Sequence, residues 1–303
     1  MTTILASKKF ILTYTNKNGF IFKKATNLAY ETIDEGQFGI IYDDYNPDIK
    51  KINQWKKDYK NITVFNVATR GKTLSIDSKI AFHNKMSKST FTPESYLNKK
   101  LITDKESLYF VKKDGGTGAK GVHIYTYDEL QNINTINCVI QKNMKFPDLH
   151  NNKRYKIRQL VFLHNKSCYI HRESWASISG VEYNSNSSLR DKHIIYQKQN
   201  TEFILSRNLN NFDKIYKNIL KSIIEFTKYY HDEIQKIEKN EFVILGFDFV
   251  VDKDYNVQII EINHRSNYGH PENVSNECDI AGIKDLLVLL IKKSLDGTKL
   301  IKI

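Results

Sequence analysis

Two acids and an amide, Asp248, Glu261 and Asn263, sit in a segment whose alternating apolar residues read as a β-hairpin, GFDFVVDKDYNVQIIEINH over 246–264. With residues 253–256 as a four-residue turn, Asp252 stands opposite Val257 and Asp248 opposite Glu261. Strand side chains alternate between faces, so Asn263 points the same way as Glu261, with Gly246 as its cross-strand neighbour. Val250 and Ile259 share that face in this register, which makes it partly buried. Unpaired acids there are costly, and two facing anions need a cation. Two carboxylates and an amide oxygen are hard donors that suit Mg²⁺, an ion that keeps waters and phosphates in its shell. The alternative is a hairpin whose acids sit at wet strand ends.

A second segment bears on phosphates. Residues 109–124 read YFVKKDGGTGAKGVHI, and Gly116, Gly118 and Gly121 satisfy G-x-G-x-x-G. A dinucleotide loop must open a helix, whereas Val122-His123-Ile124-Tyr125 is strand-like. A P-loop needs Gly-Lys-Ser/Thr, and the residues here are Ala119-Lys120-Gly121. The surviving reading is a glycine-rich β-hairpin over phosphates, its amides aimed at oxygens and Lys112, Lys113 and Lys120 adding charge. An ordinary hairpin turn with solvated lysines is the bland alternative. A protein kinase is excluded: His171-Arg172-Glu173 imitates H-R-D, but Ile178 stands where the metal-binding Asn belongs, and Val250 replaces the glycine of D-F-G.

The elements that must position these residues follow from periodicity. Strands are expected at 10–14, 39–42 and 62–67 with a helix over 48–60, an α/β unit ending near residue 70. A helix over 76–89, strands at 109–113, 122–127 and 138–144, and a short helix from Asp128 make a middle α+β unit. From residue 155 the pattern is β, at 155–164 and 167–179, followed by a polar loop over 182–200. Phe212, Ile215, Ile219, Ile223, Phe226, Tyr230, Ile234 and Ile237 step by three or four, one apolar stripe of a long helix. Strands at 242–252 and 257–264 and a helix near 280–293 close the chain. The order predicts an α+β fold of antiparallel sheets covered by helices, preceded by a small α/β domain.

Composition bounds the function classes. The chain has 303 residues and a net charge of +12, from 46 Lys plus Arg against 34 Asp plus Glu. Only 13 Gly and 4 Pro argue against a long disordered tail, and the longest apolar runs, such as 286–291, are too short to cross a bilayer. Three separated cysteines without a CxxC pair predict neither a disulfide framework nor a zinc cluster, and a reducing, cytoplasmic setting is expected, the N-terminus lacking the pattern of a secretory leader. The excess charge suits an anionic partner, but the lysines are dispersed and aromatics are not interleaved with them as in RNA-binding signatures, so a nucleic-acid partner is not expected.

Together these pieces resemble the ATP-grasp superfamily and, within it, the tubulin-tyrosine-ligase-like proteins, over roughly residues 76–270. Phe110-Val111-Lys112 resembles the family strand whose lysine contacts nucleotide phosphate, and Gly118 to Gly121, with Lys120, the loop that closes over ATP. Val139-Ile140-Gln141-Lys142-Asn143-Met144 looks like the hinge that holds adenine. Arg154-Tyr155-Lys156-Ile157-Arg158 is similar to a Lys-Phe-Asp-Ile-Arg strand. His171-Arg172-Glu173 resembles a later strand whose Arg faces the transferred phosphate. The metal triad falls on Asp248, Glu261 and Asn263, and Lys79 matches an earlier nucleotide-contacting lysine.

The resemblance implies an ATP-grasp fold with an N-terminal α/β domain over 1–75, a central subdomain over 76–145 and a C-terminal subdomain over 146–303. It implies ATP and Mg²⁺ as cofactors, with Lys79, Lys112, Gly118, Lys120, Gly121, Gln141, Lys142, Met144 and Arg154 binding nucleotide and Arg158 and Arg172 catalytic. The implied reaction is carboxylate–amine ligation through an acyl phosphate, joining an amino acid to a protein or peptide, with an acidic polypeptide as a fitting acceptor. Three departures bear on specificity: Lys156 stands where the family has an acid, His193-Ile194-Ile195-Tyr196 replaces a loop with a Thr-Asn pair, and Asn263-His264-Arg265-Ser266 replaces Asn-x-x-Pro. A small-molecule ligase or phosphotransferase of the same architecture, or a non-catalytic basic nucleic-acid-binding protein, are the alternatives.

Overall fold

The computed structural model describes residues 2–7, 10–14, 19–32, 38–42, 49–58, 63–68, 72, 75, 76, 78–115, 121–195, 201–264 and 273–303. The N-terminal part carries β1 (Thr2–Ser7), β2 (Phe10–Tyr14), α1 (Gly19–Glu31), β3 (Phe38–Tyr42), α2 (Ile49–Asp58) and β4 (Thr63–Val67). Next come α3 (Lys79–Met86), β5 (Ser95–Tyr96), β6 (Tyr109–Lys113), β7 (Val122–Tyr125), α4 (Tyr127–Gln131), β8 (Cys138–Lys142) and β9 (Leu149–His150). Then follow β10 (Lys153–His164), β11 (Ser167–His171), β12 (Trp175–Ile178), α5 (Leu189–His193) and β13 (Glu202–Leu205). The chain closes with α6 (Phe212–Tyr229), α7 (His231–Gln235), β14 (Glu241–Val251), β15 (Val257–His264), α8 (Asn273–Lys292) and β16 (Leu300–Lys302).

Two sheets result. The small one has the order β5-β8-β6-β7, all antiparallel. In the large one, β2, β3 and β4 run parallel with helices between them, as an α/β unit does. The β4 edge then pairs in parallel with β14 (Glu241↔Asn66, Phe242↔Val67), so the N-terminal strands continue the central sheet instead of forming a sheet of their own.

Alternation along the two central strands decides what each face meets. The odd-numbered residues Tyr155, Ile157, Val161 and Leu163 of β10, with Val243, Leu245, Phe247 and Phe249 of β14, are buried under the α6 stripe of Ile215, Ile219, Ile223 and Phe226. The even-numbered face divides in two. Leu160 and Phe162 with Phe242 and Ile244 pack under α8 and α1, whereas Arg154, Lys156, Arg158 and Asp248 line a cavity. Charged residues persist on a central strand because α8 covers only half of that face.

Several expectations shift in detail. The long helix breaks at Tyr230 into α6 and α7, yet Tyr230, Ile234 and Ile237 stay buried on the same core. The strand expected over 167–179 is interrupted at 172–174, and β11 and β12 pair with successive halves of β10. The polar stretch after 182 contains the short helix α5, whose N-cap Ser188 accepts from Asp191 N. Among the described residues no helix is long and apolar enough to cross a membrane.

The α6 stripe predicts its own cost. Phe226 is fully buried, stacked on Tyr230 at 4.5 Å and edge-on to Phe247 at 4.9 Å. Phe226→Ala should destabilise the fold by about 3–5 kcal/mol, read from urea unfolding; a loss below about 1 kcal/mol would deny the helix–sheet core this role.

Candidate active site

The space between the two sheets is a cavity of about 570 Å³. The large sheet contributes Arg154, Lys156 and Arg158 from β10, Asp248 and Val250 from β14, and Gln258, Ile260, Glu261 and Asn263 from β15. Phe110, Lys112, Val122, Gln141, Lys142 and Met144 face it from the small sheet. Trp175, Ser177, Arg190, His193 and Phe203 are part of a third wall.

The β14–β15 hairpin reaches the expected facing of acids by an unexpected route. Val251, not Asp252, pairs with Val257, so the turn is one residue longer. Asp252 closes it by accepting from Asp254 N at 2.9 Å and from Asn256 N at 2.8 Å. A one-residue bulge at Ile260 then restores the register, and Asp248 pairs with Glu261 and Gly246 with Asn263. The bulge corrects one assignment: Ile259 faces the α6 core, and Gln258 and Ile260 join Val250 along the cavity. Lys112 uses the bulge, donating from Nζ to the Ile260 carbonyl at 3.0 Å.

Asp248 is 1% exposed. Burial works against its ionisation, but Arg158 and Lys156 overcome that and hold its carboxyl far below the usual range. Arg158 donates from Nε to Oδ1 at 2.5 Å and from Nη2 to Oδ2 at 3.1 Å, and Lys156 Nζ adds a contact to Oδ2 at 3.1 Å. Glu261 pairs with Lys79 Nζ at 3.2 Å, at the first residue of α3. Asp114, just past β6, binds the amide of Lys79 at 2.8 Å, tying the base of the glycine hairpin to that helix.

At the opposite end, Arg154 donates from Nη1 to Asn143 Oδ1 at 3.0 Å and to His193 Nδ1 at 2.6 Å. Burial, then the Arg154 and Lys192 charges, push His193 down to about 4, leaving it neutral and able to accept. Gln141 is 5% exposed and lines the cavity from β8. Lys142 is drawn to the rim by Asp104 at 2.8 Å and Glu94 at 3.3 Å, which hold it protonated above its usual range.

Not every expected residue converges here. Arg172 is exposed beyond the end of β11, where its amide bonds Lys299 O at 2.9 Å, and it is not among the cavity-lining residues. The turn between β11 and β12 carries it away from Arg158, whose cross-strand partner is Trp175. Gly121 closes the β6–β7 hairpin by accepting from Lys113 N at 3.3 Å, and a strand follows the glycines as expected. Gly116, Gly118 and Lys120, like Tyr196, Arg265 and Ser266, lie outside the described residues. Sequence reading missed Trp175, Ser177 and Arg190 as cavity residues. Each belongs to a short element whose pattern carries no signal of what lies across from it.

The donor set fits a hard divalent ion. Asp248, Glu261 and Asn263 share one cavity face across adjacent strands, and all three offer oxygen. Among the described residues no three His, Cys, Asp or Glu side chains cluster. Two carboxylates and an amide leave coordination positions for water or phosphate, the pattern of Mg²⁺.

Lys112 carries a measurable signature. It is 7% exposed, and burial pushes its ammonium down to about 8, against the attraction of Glu261. The unfolded chain keeps this proton to about 10.5, so unfolding takes up a proton between those values. This group's contribution to the stability of the ligand-free protein therefore rises with pH across the window. From about pH 7 to about pH 9.5 the urea midpoint of the wild type should gain on that of Lys112→Met; identical pH dependence would mean Lys112 is not desolvated.

The hairpin acids, the lysine on the small sheet and the arginine between them occupy one stretch of chain that also matches a known family. The profile described as Tubulin-tyrosine ligase family matches residues 49–214 and 195–287. A search of curated proteins finds no match. Family membership points to ATP-dependent amide ligation, on a mixed fold of sheets and helices compatible with ATP-grasp. With the match running over most of its length, the chain belongs to the tubulin-tyrosine ligase family.

Proposed function

We propose that this protein is an ATP- and Mg²⁺-dependent carboxylate–amine ligase that joins an amino acid to a protein or peptide through an acyl phosphate. The observation that carries this reading is the charge of the cavity. Six basic side chains, Lys112, Lys142, Arg154, Lys156, Arg158 and Arg190, line it against two carboxylates, Asp248 and Glu261. A cavity with that surplus favours a polyanion, and the oxygen donors beside it suit the ion that accompanies a triphosphate.

In this reading Gln141 and Met144 flank the adenine and Lys112 holds the α- and β-phosphates; for Lys120, outside the described residues, the family resemblance implies a role at the terminal phosphate. Asp248, Glu261 and Asn263 hold Mg²⁺, which when bound neutralises phosphate oxygens as a Lewis acid. A substrate carboxylate oxygen attacks the γ-phosphorus, ADP leaves, and an acyl phosphate forms. The amine then attacks the acyl carbon, phosphate departs and the nitrogen loses a proton. Arg158 faces the charge that spreads over the transferred group, for which a planar guanidinium is suited. Lys156 exchanges Asp248 for a phosphate oxygen when nucleotide enters. Arg172, exposed and outside the cavity, receives no catalytic role here.

Mass spectrometry of candidate acceptors, acidic peptides among them, after incubation with Mg-ATP and pooled amino acids should find the mass of an added residue together with ADP. A phosphorylated small molecule, or ADP without a conjugate, would replace the ligase reading with a phosphotransferase. Glu261→Gln should lower turnover by on the order of a hundredfold or more while leaving the thermal unfolding of the protein nearly unchanged; near-normal turnover would remove the metal assignment.

A further inference from the structure

Asp279 on α8 is 2% exposed, and nothing in the proposed reaction uses it. Its Oδ1 accepts a hydrogen bond from Trp175 Nε1 at 3.2 Å. The Trp175 ring centroid lies 5.7 Å from the Arg158 guanidinium carbon, within cation–π range, and Arg158 holds Asp248. Trp175 and Arg158 are 2% and 8% exposed, so these contacts sit out of bulk water, where they are stronger.

Sheet pairing sets the backbone of this arrangement but not the ring. Trp175 is the cross-strand partner of Arg158, and its side chain still has rotamers to choose among. An indole has one N–H, so a fixed acceptor selects the ring orientation that lies against the guanidinium. Phe203 packs edge-on against the indole at 5.5 Å. An acid at this depth is costly: burial pushes the Asp279 carboxyl up to about 7, against the Trp175 hydrogen bond and the Arg158 and His171 charges.

We propose that Asp279 is a positioning residue for Arg158, acting through Trp175, so that the guanidinium meets the terminal phosphate of a bound nucleoside triphosphate. This rests on the reading of the cavity as a nucleotide site. The contact runs from a covering helix, through an indole, to the arginine that also holds the buried acid. Because Arg158 stands at the Asp248 end of the cavity, four residues along β10 from the Arg154 that binds Asn143, losing its orientation weakens ATP more than ADP. A general loosening of the core weakens both alike.

The test is equilibrium binding of Mg-ATP and Mg-ADP to the full chain. Trp175→Phe, which removes the N–H, and Asp279→Leu should each weaken ATP about tenfold and ADP little. The double variant should bind ATP no worse than either single one. Asp279→Asn, which keeps an acceptor, should stay close to wild type and, with Trp175→Phe, carries the comparison if Asp279→Leu fails to fold. Equal losses for ATP and ADP, multiplied losses in the double variant, or an Asn variant as weak as Leu would each overturn the proposal. In a Trp55→Phe background, where Trp175 is the sole indole, its emission should shift in Asp279→Leu and hold in Asp279→Asn. Should the wild type bind neither nucleotide, the ligase reading falls, and the emission arm still decides the Asp279–Trp175 contact: emission that ignores Asp279→Leu overturns it.

Discussion

A carboxylate with 1% exposure in the middle of a central strand is the constraint around which this molecule is arranged. Asp248 keeps its charge because Arg158 grips both of its oxygens and Lys156 adds a second cation. Removing either partner of such a pair leaves an uncompensated charge in low dielectric, which is far costlier than the pair itself is stabilising. A well-packed apolar pair would serve stability as well or better. On the proposed reading the cluster is machinery held in place by the fold rather than a support of the fold.

The sheet carries that machinery by treating the two halves of one face differently. Along β10 and β14 most odd-numbered side chains are apolar and pack under α6, with the buried Gln159 as an interruption. On the even-numbered face, α8 and α1 cover Leu160, Phe162, Phe242 and Ile244, and the cover ends before Arg158 and Asp248. The small sheet closes over the uncovered half without filling it. Rigid strands thus fix the cavity floor, while Lys112 and the glycine hairpin arrive from a separate sheet tied to α3 by Asp114. Rigid floor and separate roof suit a site that must admit a ligand and then surround it.

Two of the departures from the pattern that the resemblance implies, at Lys156 and at His193 to Ile195, line the cavity. Lys156, where the resemblance implies an acid, sits between Arg154 and Arg158 on β10 and reaches Asp248 at 3.1 Å. Its effect is to raise the positive charge along the cavity floor and to balance Asp248 in the absence of an ion. His193 is neutral and takes a proton-donor contact from Arg154, which organises the hinge end without adding charge.

Much was legible from residue order because it rests on local periodicity. The α6 stripe repeats with the period of its helix and its burial follows that period, whereas β14 is buried on both faces. The facing of Asp248 and Glu261 emerged from a simple hairpin count, although a longer turn and a bulge compensate one another to produce it; strand alternation has no memory of how a register is restored. Arg172 shows the limit, since a three-residue motif says nothing of a strand break that turns it outward. Asp279, Trp175 and Arg158 come from three separate elements, and no spacing along the chain relates them. Residue types and their spacing settled the long, regular elements such as the α6 stripe, because those depend on near neighbours; they left α1, β1, β13 and β16 unread and put Ile259 on the wrong face. Which charges meet, where the covering helix stops and what the bulge carbonyl binds were decided only when distant strands paired, because electrostatics and packing act through space rather than along the chain.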